Sequence, residues 1–112
     1  MSLDIDLLEL RPVAVTVYSL NFTHNLNVMA KAVGLYEAIW RPENLRITIA
    51  GDLIQILENG LAKLQAGPDE FRQYEPANKW GTYETFVSVV SGYLEACKDH
   101  PEATISVSSG GV

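Results

Sequence analysis

The sequence predicts an α+β fold, a small two- to three-stranded sheet covered on one face by three main helices. Three observations lead there. Two short runs, residues 13–18 and 103–108, are rich in β-branched residues or alternate apolar with polar ones, at a length too short for helices. Three longer stretches repeat apolar residues at three- and four-residue steps, the period of an amphipathic helix. A sheet of so few strands is marginal by itself, so the helices must pack against it.

In chain order, residues 1–12 read as an N-terminal arm or extra strand. Leu3, Ile5 and Leu7 alternate with Asp4 and Asp6, while Leu8, Glu9 and Leu10 blur the alternation and leave a short helix as an alternative. Pro12 breaks the chain before the first clear strand, about 13–19. The first helix, about 24–34, starts near Thr23 or Asn25, whose side chains accept N–H bonds from the next turn. Leu26, Met29, Ala30 and Val33 form its apolar stripe, and Gly34 ends it. Residues 36–40 add one more turn at most before Pro42, with Tyr36 and Trp40 covering the core.

The second helix, about 49–66, has Thr48 as its cap, Asp52 in its first turn and a stripe of Leu53, Ile56, Leu57, Leu61 and Leu64. Gly67 closes it in a left-handed turn, and Pro68 cannot extend it. Pro68, Asp69 and Glu70 open a short helix over 68–74. Thr82 caps the third main helix, about 83–99, with Glu84 beside its positive end. Phe86, Val90, Tyr93, Leu94 and Cys97 are its buried stripe, and His100-Pro101 stops it. The last strand covers about 103–108, and residues 109–112 read as a flexible tail. Residues 13–108 therefore form a single globular domain, without repeats or linkers.

Composition excludes several function classes. The chain has 112 residues, 47% of them hydrophobic, with 8 basic against 14 acidic residues and a net charge of −6. An acidic surface repels phosphate backbones, so no nucleic-acid partner is expected. No apolar run approaches the roughly 18 residues that span a bilayer, so no membrane partner is expected either. A single cysteine, Cys97, cannot form an internal disulfide, and its apolar surroundings predict a buried, reduced thiol. Residues 1–11 lack the basic leader and apolar core of a signal peptide, which points to the cytoplasm. Asn21-Phe22-Thr23 then matches the glycosylation triplet by accident.

Two segments stand apart, residues 21–27 and 78–84. Both mix amides, hydroxyls and aromatics, and both lead into a helix, where free backbone N–H groups point outward. Together they offer Asn21, His24, Asn25 and Asn27 with Asn78, Trp80, Tyr83 and Glu84 as candidate binding residues. Helix starts favour a carboxylate, phosphate or carbonyl, and Trp80 can stack on a flat group. The competing reading is structural, because asparagine and threonine cap helices and fix turns. Strand direction decides between them. If the strands at 13–19 and 103–108 run parallel, as the long helical connection favours, both segments meet at one edge. If antiparallel, they sit at opposite ends.

Asn21-Phe22-Thr23-His24-Asn25 after a strand, Pro76-Ala77-Asn78-Lys79-Trp80-Gly81-Thr82-Tyr83-Glu84 before a helix, and Leu94-Glu95-Ala96-Cys97-Lys98 before a proline and a strand form one pattern. It resembles a group of small uncharacterised bacterial and phage proteins, over residues 13–108. The resemblance implies one domain in which the two segments belong together, and it implies no activity.

No catalytic constellation, metal-ligand spacing or phosphate loop is present in the sequence, and no cofactor is expected. The expected function is a non-enzymatic binding or interaction module using the edge formed by residues 21–27 and 78–84. The alternative is a small-ligand protein or enzyme with His24 and Glu84 as an acid–base pair. A further alternative is an acidic inhibitor that mimics nucleic acid, although the carboxylates spread over several elements. The partner is an unspecified protein or small molecule. The apolar residues of the arm must be buried on this chain or on a second copy, so a homodimer through residues 1–11 is one way to cover them.

Overall fold

The alternation of Leu3, Ile5 and Leu7 with Asp4 and Asp6 does produce a strand, and the computed structural model puts that strand at the centre of the sheet. The structure describes residues 2–10, 13–75 and 81–110. Strand β1 (Ser2–Leu10) pairs antiparallel with β2 (Ala14–Thr23) on one side and with β3 (Thr104–Gly110) on the other. Leu3, Ile5 and Leu7 are fully buried, whereas Asp4 and Asp6 point to the opposite, solvent-facing side. In register, Asp4 lies opposite Asn21 and Ser108, and Asp6 opposite Ser19 and Ser106. The register slips between Leu7 and Leu8, leaving Val17 as an extra residue on β2.

Several expectations change with this topology. Of the two readings of residues 1–12, the strand is the one formed, while Arg11 and Pro12 lie outside the described residues. The strands at 13–19 and 103–108 do not pair with each other, because β1 occupies the place between them. Pairing with the long β1 also carries β2 on to Thr23 and β3 on to Gly110, so Ser109 and Gly110 belong to the ladder and not to a tail.

Beyond β2, a 3-10 turn (His24–Leu26) leads into α1 (Asn27–Val33), which Gly34 ends at φ 84°. The short helix α2 (Tyr36–Trp40) follows, and its Tyr36 ring stacks on Trp40 at 5.3 Å. The second main helix starts later than Thr48 suggests. A 3-10 turn (Ala50–Leu53) precedes α3 (Ile54–Ala66), and Thr48 caps nothing there. Instead residues 48–50 run along β3: the Thr48 carbonyl accepts the Ile105 N–H at 2.9 Å, and the Ala50 N–H donates to the Ala103 carbonyl at 2.9 Å. Gly67 ends α3 at φ −139°, not in a left-handed turn, since the proline after it biases it toward extended backbone. Helix α4 (Pro68–Arg72) is shorter than the expected 68–74. Helix α5 (Tyr83–Asp99) has the expected bounds and the expected cap, the Thr82 hydroxyl accepting the Thr85 N–H at 3.1 Å.

The helices lie on the inner face of the sheet. Leu26, Met29, Leu53, Leu57, Leu64, Phe86, Val90, Tyr93 and Cys97 close over Leu3, Ile5 and Leu7 in one core. The side chains of β1 that needed a cover find it within this chain. The radius of gyration, 13.7 Å, is close to the about 13 Å of a compact chain of this length. Among the described residues, no helix is long and apolar enough to cross a membrane.

Candidate functional site

Because β2 and β3 are each antiparallel to β1, they run in the same direction although they are not neighbours. The connection from α5 to β3 is only residues 100–103, so α5 runs back along the sheet and starts near the end of β2. Contacts agree with that path. Gly81, at φ 98°, lies so close to the end of β2 that an added Cβ would stand 2.9 Å from Thr23 Cγ2 and 3.0 Å from Leu26 Cδ2. Only glycine combines that backbone conformation with so close an approach. The described parts of the two segments therefore adjoin at one end of the sheet.

The individual side chains divide. Asn21 is exposed on the outer face of β2 and donates through Nδ2 to Asp4 Oδ1 at 2.5 Å. Thr23 Oγ1 accepts the Asn25 N–H at 3.2 Å and so caps the 3-10 turn. Asn25 and Asn27 are half-buried at the entrance to α1. Tyr83 is a structural residue: its ring is buried, and its hydroxyl donates to the Leu64 carbonyl, tying α5 to α3. The side chain of His24 and residues Asn78 and Trp80 lie outside the described residues.

Glu84 meets Arg72 of α4, with Nη2 to Oε1 at 2.7 Å, and the same guanidinium reaches Asp69 at 3.3 Å. It also lies over the Tyr83 ring, 5.0 Å from the centroid. The Arg72 hydrogen bond is the main reason that the Glu84 carboxyl is held below the usual range, and Glu84 in turn raises the Arg72 guanidinium. Glu84 is thus an ionised carboxylate held by Arg72, while the side chain of His24, its partner in the acid–base reading, lies outside the described residues. The start of α5 is also less open than free helix N–H groups would be. Glu75 Oε2 accepts the Tyr83 N–H at 2.6 Å, so a carboxylate of this chain already takes the place that a bound anion would favour.

Sequence reasoning missed the polar outer face of the sheet. Ser19 Oγ donates to Asp6 Oδ1 at 2.7 Å beside the Asn21–Asp4 bond, and Ser106 and Ser108 flank the same two aspartates from β3. The alternation of each strand was visible, but the register that joins them was not. A cavity of about 240 Å³ lies between β2 and α5, lined by Val17, Tyr18, Gly92, Glu95, Ala96, Asp99 and His100. His100 Nδ1 is 3.2 Å from Glu9 Oε2, which ties the end of α5 to β1. Among the described residues no group of histidine, cysteine, aspartate and glutamate side chains could hold a metal ion.

Comparison with family models, curated proteins and solved structures gives no match to this chain.

Proposed function

We propose that the chain is a non-enzymatic binding or interaction module that uses the edge made by residues 21–27 and 78–84. One observation supports the reading: the close approach of Gly81 to Thr23 and Leu26, which sets described residues of the two segments side by side. The exposed Asn21 and the half-buried Asn25 and Asn27 supply neutral, directional hydrogen-bonding groups there. With Glu75 on the Tyr83 N–H and Arg72 on Glu84, these charged groups among the described residues are already paired, which favours a partner that offers amides, carbonyls or flat polar groups rather than an anion. The kinship with small bacterial and phage proteins and a cytoplasmic setting belong to the same proposal; the buried single thiol of Cys97 supports a reducing compartment.

A fragment screen read by NMR chemical-shift changes tests it. Hits should move the amides of residues 21–27 and 81–84 and weaken about tenfold, or about 1.4 kcal/mol, in Asn25→Ala or Trp80→Ala. Binders indifferent to both substitutions would remove this surface from consideration.

A further inference from the structure

We propose that the outer edge of β2 pairs with β2 of a second copy, joining two sheets antiparallel into one continuous sheet. The two edges of the sheet differ. Beyond β3, residues 48–50 are already in place, with Ile49 bridged to Thr104 and the Thr48 carbonyl bonded to the Ile105 N–H. Beyond β2, no further strand lies among the described residues, and β2 is the longer of the two at 10 residues. A long strand edge offers a row of backbone donors and acceptors, and natural proteins blunt such edges with charge, proline, bulges or a covering segment. Between Arg11 and Lys31 there is no aspartate, glutamate, lysine or arginine. The one bulge, at Val17, leaves the register regular from Tyr18 to Thr23.

The occupant follows from the sequence of the strand itself. A two-fold axis at Leu20 sets Leu20 against Leu20 on the inner face and Ser19 against Asn21, twice, on the outer face. Apolar meets apolar and polar meets polar, so both faces of the sheet continue across the junction. Charge permits it as well. Two copies at −6 repel each other, but on the outer face the carboxylates beside the junction, Asp4 and Asp6, stand one strand in and bond to Asn21 and Ser19, while Glu95 and Asp99 line the cavity between β2 and α5. Across four strands the β1 aspartates of the two copies are about 14 Å apart, beyond the screening length of about 8 Å at physiological salt. The pairing uses the main chain of β2; it shares residues 21–23 with the proposed binding edge but not the helix starts that follow them.

Light scattering of the full chain should give a mass that rises with concentration toward twice 12.4 kDa. Ser19→Lys, at an exposed position, should return it to the single-chain mass, and Ser106→Lys on β3 should leave it doubled. In the wild-type chain, hydrogen exchange of the paired residues 18–22 should slow about tenfold or more between dilute and concentrated samples, while β3 stays unchanged. A single-chain mass at every concentration would overturn the proposal, as would a dimer dissolved by Ser106→Lys but not by Ser19→Lys. So would a monomer whose β2 amides slow only when an unrelated extended peptide is added.

Discussion

At the scale of single residues, Tyr93 is the odd member of the core. Its ring stacks on Tyr18 at 6.4 Å, nearly parallel, and its hydroxyl is buried with no hydrogen-bond partner among the described residues. Burying such a group unbonded costs on the order of 1–3 kcal/mol. Tyr93→Phe keeps the ring and removes the hydroxyl, so urea unfolding should show a gain of about 1 kcal/mol; a loss of that size would mean that the hydroxyl is bonded. The residues that were legible in the sequence act through near neighbours. Thr82 caps α5 and Gly34 ends α1, each by bonds within one turn. Glu84 was not legible, because its partner Arg72 sits on another helix. The same holds for Glu75, which reaches the Tyr83 N–H from the far side of residues 76–80.

Among the elements, β1 carries the fold. Leu3, Ile5 and Leu7 are fully buried, and each contributes roughly 1.5–3 kcal/mol of burial. Together that approaches the roughly 5–15 kcal/mol that holds a whole domain folded. Without β1, β2 and β3 would face each other across a gap of two strand spacings, about 10 Å, with no ladder between them. A chain lacking residues 1–11 should therefore lose its cooperative thermal transition by circular dichroism, and a truncated chain melting like the full one would contradict the assignment. The strand period of β1 could be read from Leu3 to Leu7, since alternation is local. Its central place could not, because its partners on β3 come about a hundred residues later. Helix starts were misplaced for a related reason: the 3-10 turns before α1 and α3 are set by how the chain leaves β2 and runs beside β3.

The whole molecule is acidic, and several of its carboxylates are engaged by neighbours. Glu58 pairs with Lys98 at 3.2 Å, Asp69 and Glu84 share Arg72, and Asp4 and Asp6 bond to neutral side chains. On the alkaline side, buried groups tie stability to pH. Burial pushes the Cys97 thiol from its ordinary 9.0 up to about 12 and raises Tyr93 and Tyr18 as well. The fold holds the neutral thiol, whereas the unfolded chain releases its proton from about pH 9 upward. Stability from this group is thus fully present below pH 9.0 and is lost as pH rises toward about 12. Urea midpoints measured at several pH values in this window should fall, and should fall less steeply in Cys97→Ala. Equal slopes in the two chains would refute the assignment to this thiol.

The central position of β1 also sets a schedule. β1 and β2 are made within the first 23 residues, and a hairpin closes in roughly 1–10 μs. The strand on the other side of β1 begins at Thr104, some 80 residues further on, which at about 5–20 residues per second takes a ribosome roughly 4–16 s. For that interval one side of β1 stays unpaired, while the helices that cover Leu3, Ile5 and Leu7 are made one after another. The nascent chain is then most exposed to chaperones and to its own neighbours on a polysome, and that exposure ends when the last strand slides in beside the first.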